Sequence, residues 1–163
     1  MKSRFELIFL GSGSAFCLNN FQSNLLLIDK KSNKKLLIDC GGDIRFSLNK
    51  FNLSAKDITD LYISHPHNDH IGGMEYLAFA TKFLPGKEKI NLFISGDLTG
   101  ELWSKSLAGG LESLEGEVAN LDSYFKVHSI EPNGGFVWQD INFQLVQVVH
   151  IMTGYRIVPS YGL

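Results

Sequence analysis

Apolar residues run along this chain in short stretches separated by turn residues, and two periods can be told apart. Strand-like runs cover residues 5–10, 24–28, 35–39, 61–63, 91–94, 127–130, 136–138, 141–149 and 156–159. Gly11-Ser12-Gly13-Ser14, Pro132-Asn133-Gly134-Gly135 and Gln139-Asp140 supply turns between them. Helical spacing appears in 44–51, where Ile44, Leu48 and Phe51 share a face, and in 74–83, with Met74, Leu77, Ala78, Thr81 and Phe83. A third helix is predicted over 98–107, capped by Asp97 and stopped by Gly109-Gly110. Trp103, Leu107 and Leu111 form a core stripe there, and 111–125 reads as a mixed, partly helical segment. Ser54 is expected to cap a short turn through Asp57.

The stretch between the run at 61–63 and Gly72-Gly73 departs from this plain pattern. It carries His65, His67, Asp69 and His70 within six residues, on a turn marked by Pro66 and Asn68. In an extended or turn segment, side chains two apart leave the same side of the backbone, so His65 and His67 can converge on one cation. Asp69 and His70 can hold a second cation beside the first. Imidazole with carboxylate suits zinc, manganese or iron. Two such ions, roughly 3.5–4 Å apart, make a hydrolytic site. Asp69 would be both ligand and proton handler, because it sits beside the water that is activated. Glu75, just past the cluster, fits the first turn of a helix better than a ligand set.

The 163 residues suit one domain, with 44% hydrophobic and 20% charged residues. A formal net charge of -2 shows no basic excess of the nucleic-acid-binding kind, so a nucleic-acid substrate is not favoured. Lys30-Lys31-Ser32-Asn33-Lys34 reads as a solvated hairpin tip, with contact to a polyanion backbone as the alternative. The two cysteines, Cys17 and Cys40, are too few for a disulfide framework and fit a reducing cytoplasm. Lys2 and Arg4 precede a short apolar run broken by Glu6, which does not read as a secretory leader, and no stretch is long enough to span a membrane. His128 alternates with apolar neighbours and reads as structural.

His-x-His-x-Asp-His followed by Gly-Gly, after an apolar strand ending in Ser64, resembles the signature of the metallo-β-lactamase superfamily. Phe9-Leu10-Gly11-Ser12-Gly13-Ser14-Ala15, Leu37-Ile38-Asp39-Cys40-Gly41 and His150 at a strand end agree with it, in this order. The resemblance covers nearly the whole chain. It implies an α+β fold, an αββα sandwich of two similar halves, with residues 1–163 as a single domain whose second half is incomplete. It further implies that His150 joins His65 and His67 at the first metal site, that Asp39 supports the metal loop, and that the Gly-Ser loop lies near the active-site rim. The segment from Asp97 to Phe125 has no counterpart in the β-lactam hydrolases and reads as a substrate-facing insertion or a dimer contact.

The same resemblance exposes a gap. A complete second site needs a bridging Asp and a last His, yet after His150 the sequence has no Asp, Glu, His or Cys, which leaves only Asp69 and His70. The inner face of the first sheet is therefore expected to be bare and apolar, inviting a homo-oligomer or a complementing chain. The Gly-Ser-Gly-Ser-Ala-Phe opening resembles the phosphodiesterase branch, which includes RNase Z, so a small or nucleotide phosphodiester is the expected substrate. Thioesters and lactones are the alternatives within the same motif. A catalytically inactive half-domain that needs a partner is the alternative outside it. Oxygen-handling diiron relatives carry Glu where this chain has His67, which argues against a redox role.

Overall fold

The computed structural model describes residues 3–155 and 157–163. Lys2, weighed above as part of a leader, and Arg156, expected to open the last strand, lie outside the described residues. β1 (Phe5–Gly11), β2 (Asn24–Asp29) and β3 (Lys34–Ile38) form an antiparallel meander. α1 (Ile44–Lys50) and a 3-10 turn (Ala55–Asp57) lead to β4 (Asp60–Ile63), which pairs parallel to β3. The 3-10 turn starts as expected: the Ser54 N–H and hydroxyl both donate to Asp57 Oδ2, at 2.9 and 3.1 Å.

The metal loop and α2 (Asn68–Ile71) follow, then α3 (Met74–Lys82) and β5 (Ile90–Ser95), parallel to β4. α4 (Gly96–Glu101) runs through a π-helical turn (Leu102–Leu107) into α5 (Ala108–Leu111). Gly109-Gly110 therefore does not stop a helix; it lies inside α5, where Gly110 sits against the Glu75 carboxylate. Asp97 does not cap α4 either, since Ser95 holds the cap position and Asp97 lies in the first turn. The mixed segment resolves into a small hairpin, β6 (Ser113–Leu114) and β7 (Glu117–Val118), and α6 (Leu121–Tyr124), capped by Asn120.

β8 (Phe125–Ile130) completes a six-stranded sheet in the order β1-β2-β3-β4-β5-β8. Two further hairpins follow: β9 (Gly135–Trp138) with β10 (Ile141–Gln144), and β11 (Val146–Met152) with β12 (Ile157–Gly162). The single strand expected over 141–149 is thus split at Leu145. That residue is buried, and its N–H donates to the Gly134 carbonyl, which turns the chain from one hairpin into the next.

The register explains the two faces of the sheet. Leu26, Leu37, Leu61 and Leu92 lie in one cross-strand row, and all are fully buried. They share one core with Ile44 and Leu48 of α1 and Met74, Leu77 and Ala78 of α3. Burying rows of leucine on this scale, at about 1.5–3 kcal/mol per side chain, drives the fold.

The opposite row runs from Phe9 through Leu25, Ile38, Tyr62 and Phe93 to His128. Phe136 of β9 stacks on Phe93 at 4.3 Å and on Tyr62 at 6.1 Å, so the second hairpin layer covers this face at its centre. Among the described residues, the bare face expected from the sequence persists at the β1 end, where Phe9 is 64% exposed; β11, in a separate hairpin, is exposed at every residue. His128 is structural, as its pattern suggested: it stacks on Phe93 at 4.8 Å and its Nε2 meets Asn91 Oδ1 at 3.0 Å. Cys40 is buried and Cys17 exposed; both are free thiols. Among the described residues no helix is long and apolar enough to cross a membrane.

Candidate metal centre

The parallel strands β3, β4 and β5 end on the same side of the sheet, and the histidines gather there. β4 is buried throughout and delivers Ser64 and His65 from its end. His67 takes extended backbone ahead of α2, whose first turn carries Asp69 and whose last residues include His70. His150 arrives from β11, where the pairing shifts between Val149 and Ile151 and leaves His150 as the extra residue of a bulge. A bulge re-aims a side chain, and here it brings His150 to the metal loop. Nε2 of His150 and Nδ1 of His67 lie 2.9 Å apart.

His65, His67 and His150 form a group whose ligand atoms all lie within 4.8 Å of one another. Their donor set fits a divalent cation on two counts. His65 Nε2 is buried without a hydrogen-bond partner, a cost that a ligand would remove. Its other nitrogen, Nδ1, faces Ser64 Oγ at 3.0 Å, while Ser64 Oγ donates to Asp39 Oδ2 at 2.8 Å. That partner at Nδ1 leaves Nε2 free as a lone-pair donor. Burial first, and then the neighbouring His70, His150 and His67, push the His65 pKa down to about 3. Burial and His67 and His70 likewise lower that of His150. Neutral imidazole is the form that binds a metal.

Asp69 and His70 stand beside this group and outside it. His70 packs close to the first histidine: its ring centre lies 4.1 Å from that of His65, and its Nε2 is 3.4 Å from Asp69 Oδ2. Its Nδ1 is 2.6 Å from Asp39 Oδ2. Burial lowers the His70 pKa, but the hydrogen bond and charge of Asp39, with the charge of Asp69, outweigh it and raise the balance. The expected supporting role of Asp39 thus has a geometry. At φ 61° it turns off the end of β3 in the left-handed region and aims its carboxylate at Ser64 and His70. Glu75 stays in the first turn of α3, apart from the cluster.

Two other segments border the loop. A Cβ at Gly41 would lie 2.5 Å from both Asp69 O and Gln22 Oε1, so the turn after β3, the segment leading into β2 and the metal loop meet there. The π-helical turn brings Ser106 and Leu107 to a small cavity shared with Pro66, Asn68 and Glu75. Neither contact was legible in the sequence.

Known proteins resemble this chain in sequence and in fold. The profile of the family described as anti-Pycsar protein Apyc1 matches residues 5–163. An anti-Pycsar protein Apyc1 from Bacillus phage vB_BveM-Goe7 is 34% identical over 151 residues, covering 90% of this chain and 58% of its own. The chain thus spans little more than half the length of that relative. The metallo-β-lactamase fold protein YhfI from Bacillus subtilis superposes with a TM-score of 0.68 at 16% identity, over 96% of this chain and 56% of its own. The short form of human tRNase Z does so with a TM-score of 0.66 at 21% identity, over 95% and 62%. The fold is that of the metallo-β-lactamases, as the motif implied, and its likeness extends to an RNase Z.

Proposed function

Because this chain belongs to the anti-Pycsar Apyc1 family, we propose that it carries the first metal site of a hydrolase for a small phosphodiester, a cyclic nucleotide in particular. The convergence of His65, His67 and His150 is the observation that carries this reading. These three would hold one zinc, manganese or iron ion. Such an ion, when bound, acidifies a water and neutralises charge on a phosphoryl oxygen. Asp69, beside His70, would take the proton from that water through its carboxylate and serve, with His70, at a second metal position. The phosphodiester reading draws support from the family and from the fold shared with a tRNase, an enzyme that cuts RNA. The net charge of -2 favours a small diester over a long polyanion. A cytoplasmic setting suits a nucleotide substrate and the free Cys17 and Cys40.

The second reading is a half-domain that works only with residues from another segment or chain. It is favoured by the pair Asp69 and His70 having no third ligating side chain of its own among the described residues. Hydrolysis of cyclic nucleotides with added zinc or manganese tests both readings. The hydrolase reading predicts turnover that falls by at least about 100-fold in Asp69→Asn and in His150→Ala. Turnover unaffected by either change would refute it. Metal binding without turnover, restored by mixing with the remaining length of a relative, would establish the half-domain.

A further inference from the structure

His150 is carried on a hairpin that has little else to hold it in place. All of β11 is exposed, and Tyr161 is the only buried residue among those described in its two strands. Tyr161 is fully buried and uses three polar groups to fasten the hairpin. Its N–H donates to the Ser64 carbonyl at 3.0 Å, one residue before His65. Its carbonyl accepts from the Tyr62 hydroxyl at 2.6 Å. Its own hydroxyl donates to Asp97 Oδ2 at 2.7 Å, in the first turn of α4. The pairing then transmits this anchor to His150: Gln147 faces Tyr161, Val148 faces Ser160, Val149 faces Pro159, and His150 follows as the bulged residue. Further contacts of the hairpin are the Gln147 N–H on Asn133 Oδ1, at 3.0 Å at the start of the strand, and Ser160 Oγ facing His65 Nδ1 at 3.4 Å.

We propose that Tyr161, held by its hydroxyl on Asp97, is the positioning residue that sets His150 against His65 and His67. The proposal rests on the metal-site reading above. It concerns geometry rather than turnover, so it can be tested without a substrate. The Tyr161 hydroxyl is bound to Asp97 and is not one of the group formed by His65, His67 and His150. It acts by fixing the register of β12 on the end of β4, and through the bulge it fixes the direction of the His150 ring.

The test is zinc affinity, measured by competition with a chromogenic chelator, in Tyr161→Phe, Asp97→Ala, Asp97→Asn and His150→Ala, with thermal midpoints alongside. Tyr161→Phe keeps the ring and both backbone bonds and removes only the hydroxyl. It should weaken zinc binding by about tenfold, the worth of one hydrogen bond to a charged acceptor. Asp97→Ala should match it, Asp97→Asn should recover most of the loss by keeping an acceptor, and the double change should be no worse than either single one. In the His150→Ala background, Tyr161→Phe should cost no further affinity. A merely structural role would lower the thermal midpoint and weaken binding equally with and without His150, and that result would overturn the proposal. Wild-type affinity in Tyr161→Phe, with loss in His150→Ala, would also overturn it while leaving the metal site standing. Wild-type affinity in His150→Ala would overturn the metal-site reading and the proposal together.

Discussion

Asp39 Oδ2 lies 2.6 Å from His70 Nδ1 and also accepts the Ser64 hydroxyl at 2.8 Å, so one carboxylate orients both ends of the metal loop. Ser64 in turn faces His65 Nδ1, which ties the first histidine to the same anchor. Asp39→Asn keeps the size of the side chain but loses the charge and one acceptor. It is expected to weaken metal binding by about 10–100-fold, the usual cost of losing an outer partner of metal-bound histidines. Titration with zinc checks this. Affinity equal to the parent protein would mean that Asp39 only shapes the turn.

A second prediction concerns acid stability, away from the site. The Arg4 guanidinium, 3.0 Å from both oxygens of Asp29, holds that carboxyl well below the usual carboxylate range, helped by the Lys31 N–H and the Ser32 hydroxyl. A carboxyl lowered in the folded state stabilises the protein above its unfolded pKa, about 3.9, and that contribution fades as pH falls below it. The gap in urea midpoint between the parent and Asp29→Asn should be largest near neutral pH and shrink below about pH 4. A gap that stays constant as the pH falls would contradict this assignment.

A third prediction tests the packing that seats the metal loop. A Cβ at Gly73 would overlap Ile44 Cγ2 and the Gly41 carbonyl, and would lie 3.0 Å from Cys40 Sγ. The Gly73 N–H also donates to the Cys40 carbonyl at 2.9 Å, so the backbone cannot easily move away. Gly73→Ala should therefore lower stability by about 1–3 kcal/mol, as overpacking does. Gly100→Ala, where a Cβ meets nothing within 4 Å, is the control and should not destabilise. Equal thermal midpoints for the two variants would refute the packing argument.

Much of this architecture could be read from local patterns. The short apolar runs around Leu26, Leu37 and Leu61 mark three strands of the sheet, and the spacing of His65, His67, Asp69 and His70 after an apolar strand marks the loop site. Other features depend on contacts between distant segments, which periodicity does not encode. Gly109-Gly110 looks like a helix stop, yet helix continues through it, past a π-helical turn. Leu145 sits inside a continuous strand-like stretch and reads as mid-strand, but its burial and its bond to Gly134 make it the corner between two hairpins. Asp97 looks like a cap and instead receives the Tyr161 hydroxyl from 64 residues away. His150 was legible only through the family motif, because its direction comes from a bulge set by pairing across β11 and β12.

The central claim is that His65, His67 and His150 together hold a divalent metal, and metal content per chain tests it most directly. Elemental mass spectrometry on the purified protein and on His150→Ala should find about one equivalent or more of zinc, manganese or iron in the first and a marked loss in the second. A folded parent protein with no bound metal, even after incubation with these ions, would contradict the account, as would full occupancy that survives His150→Ala.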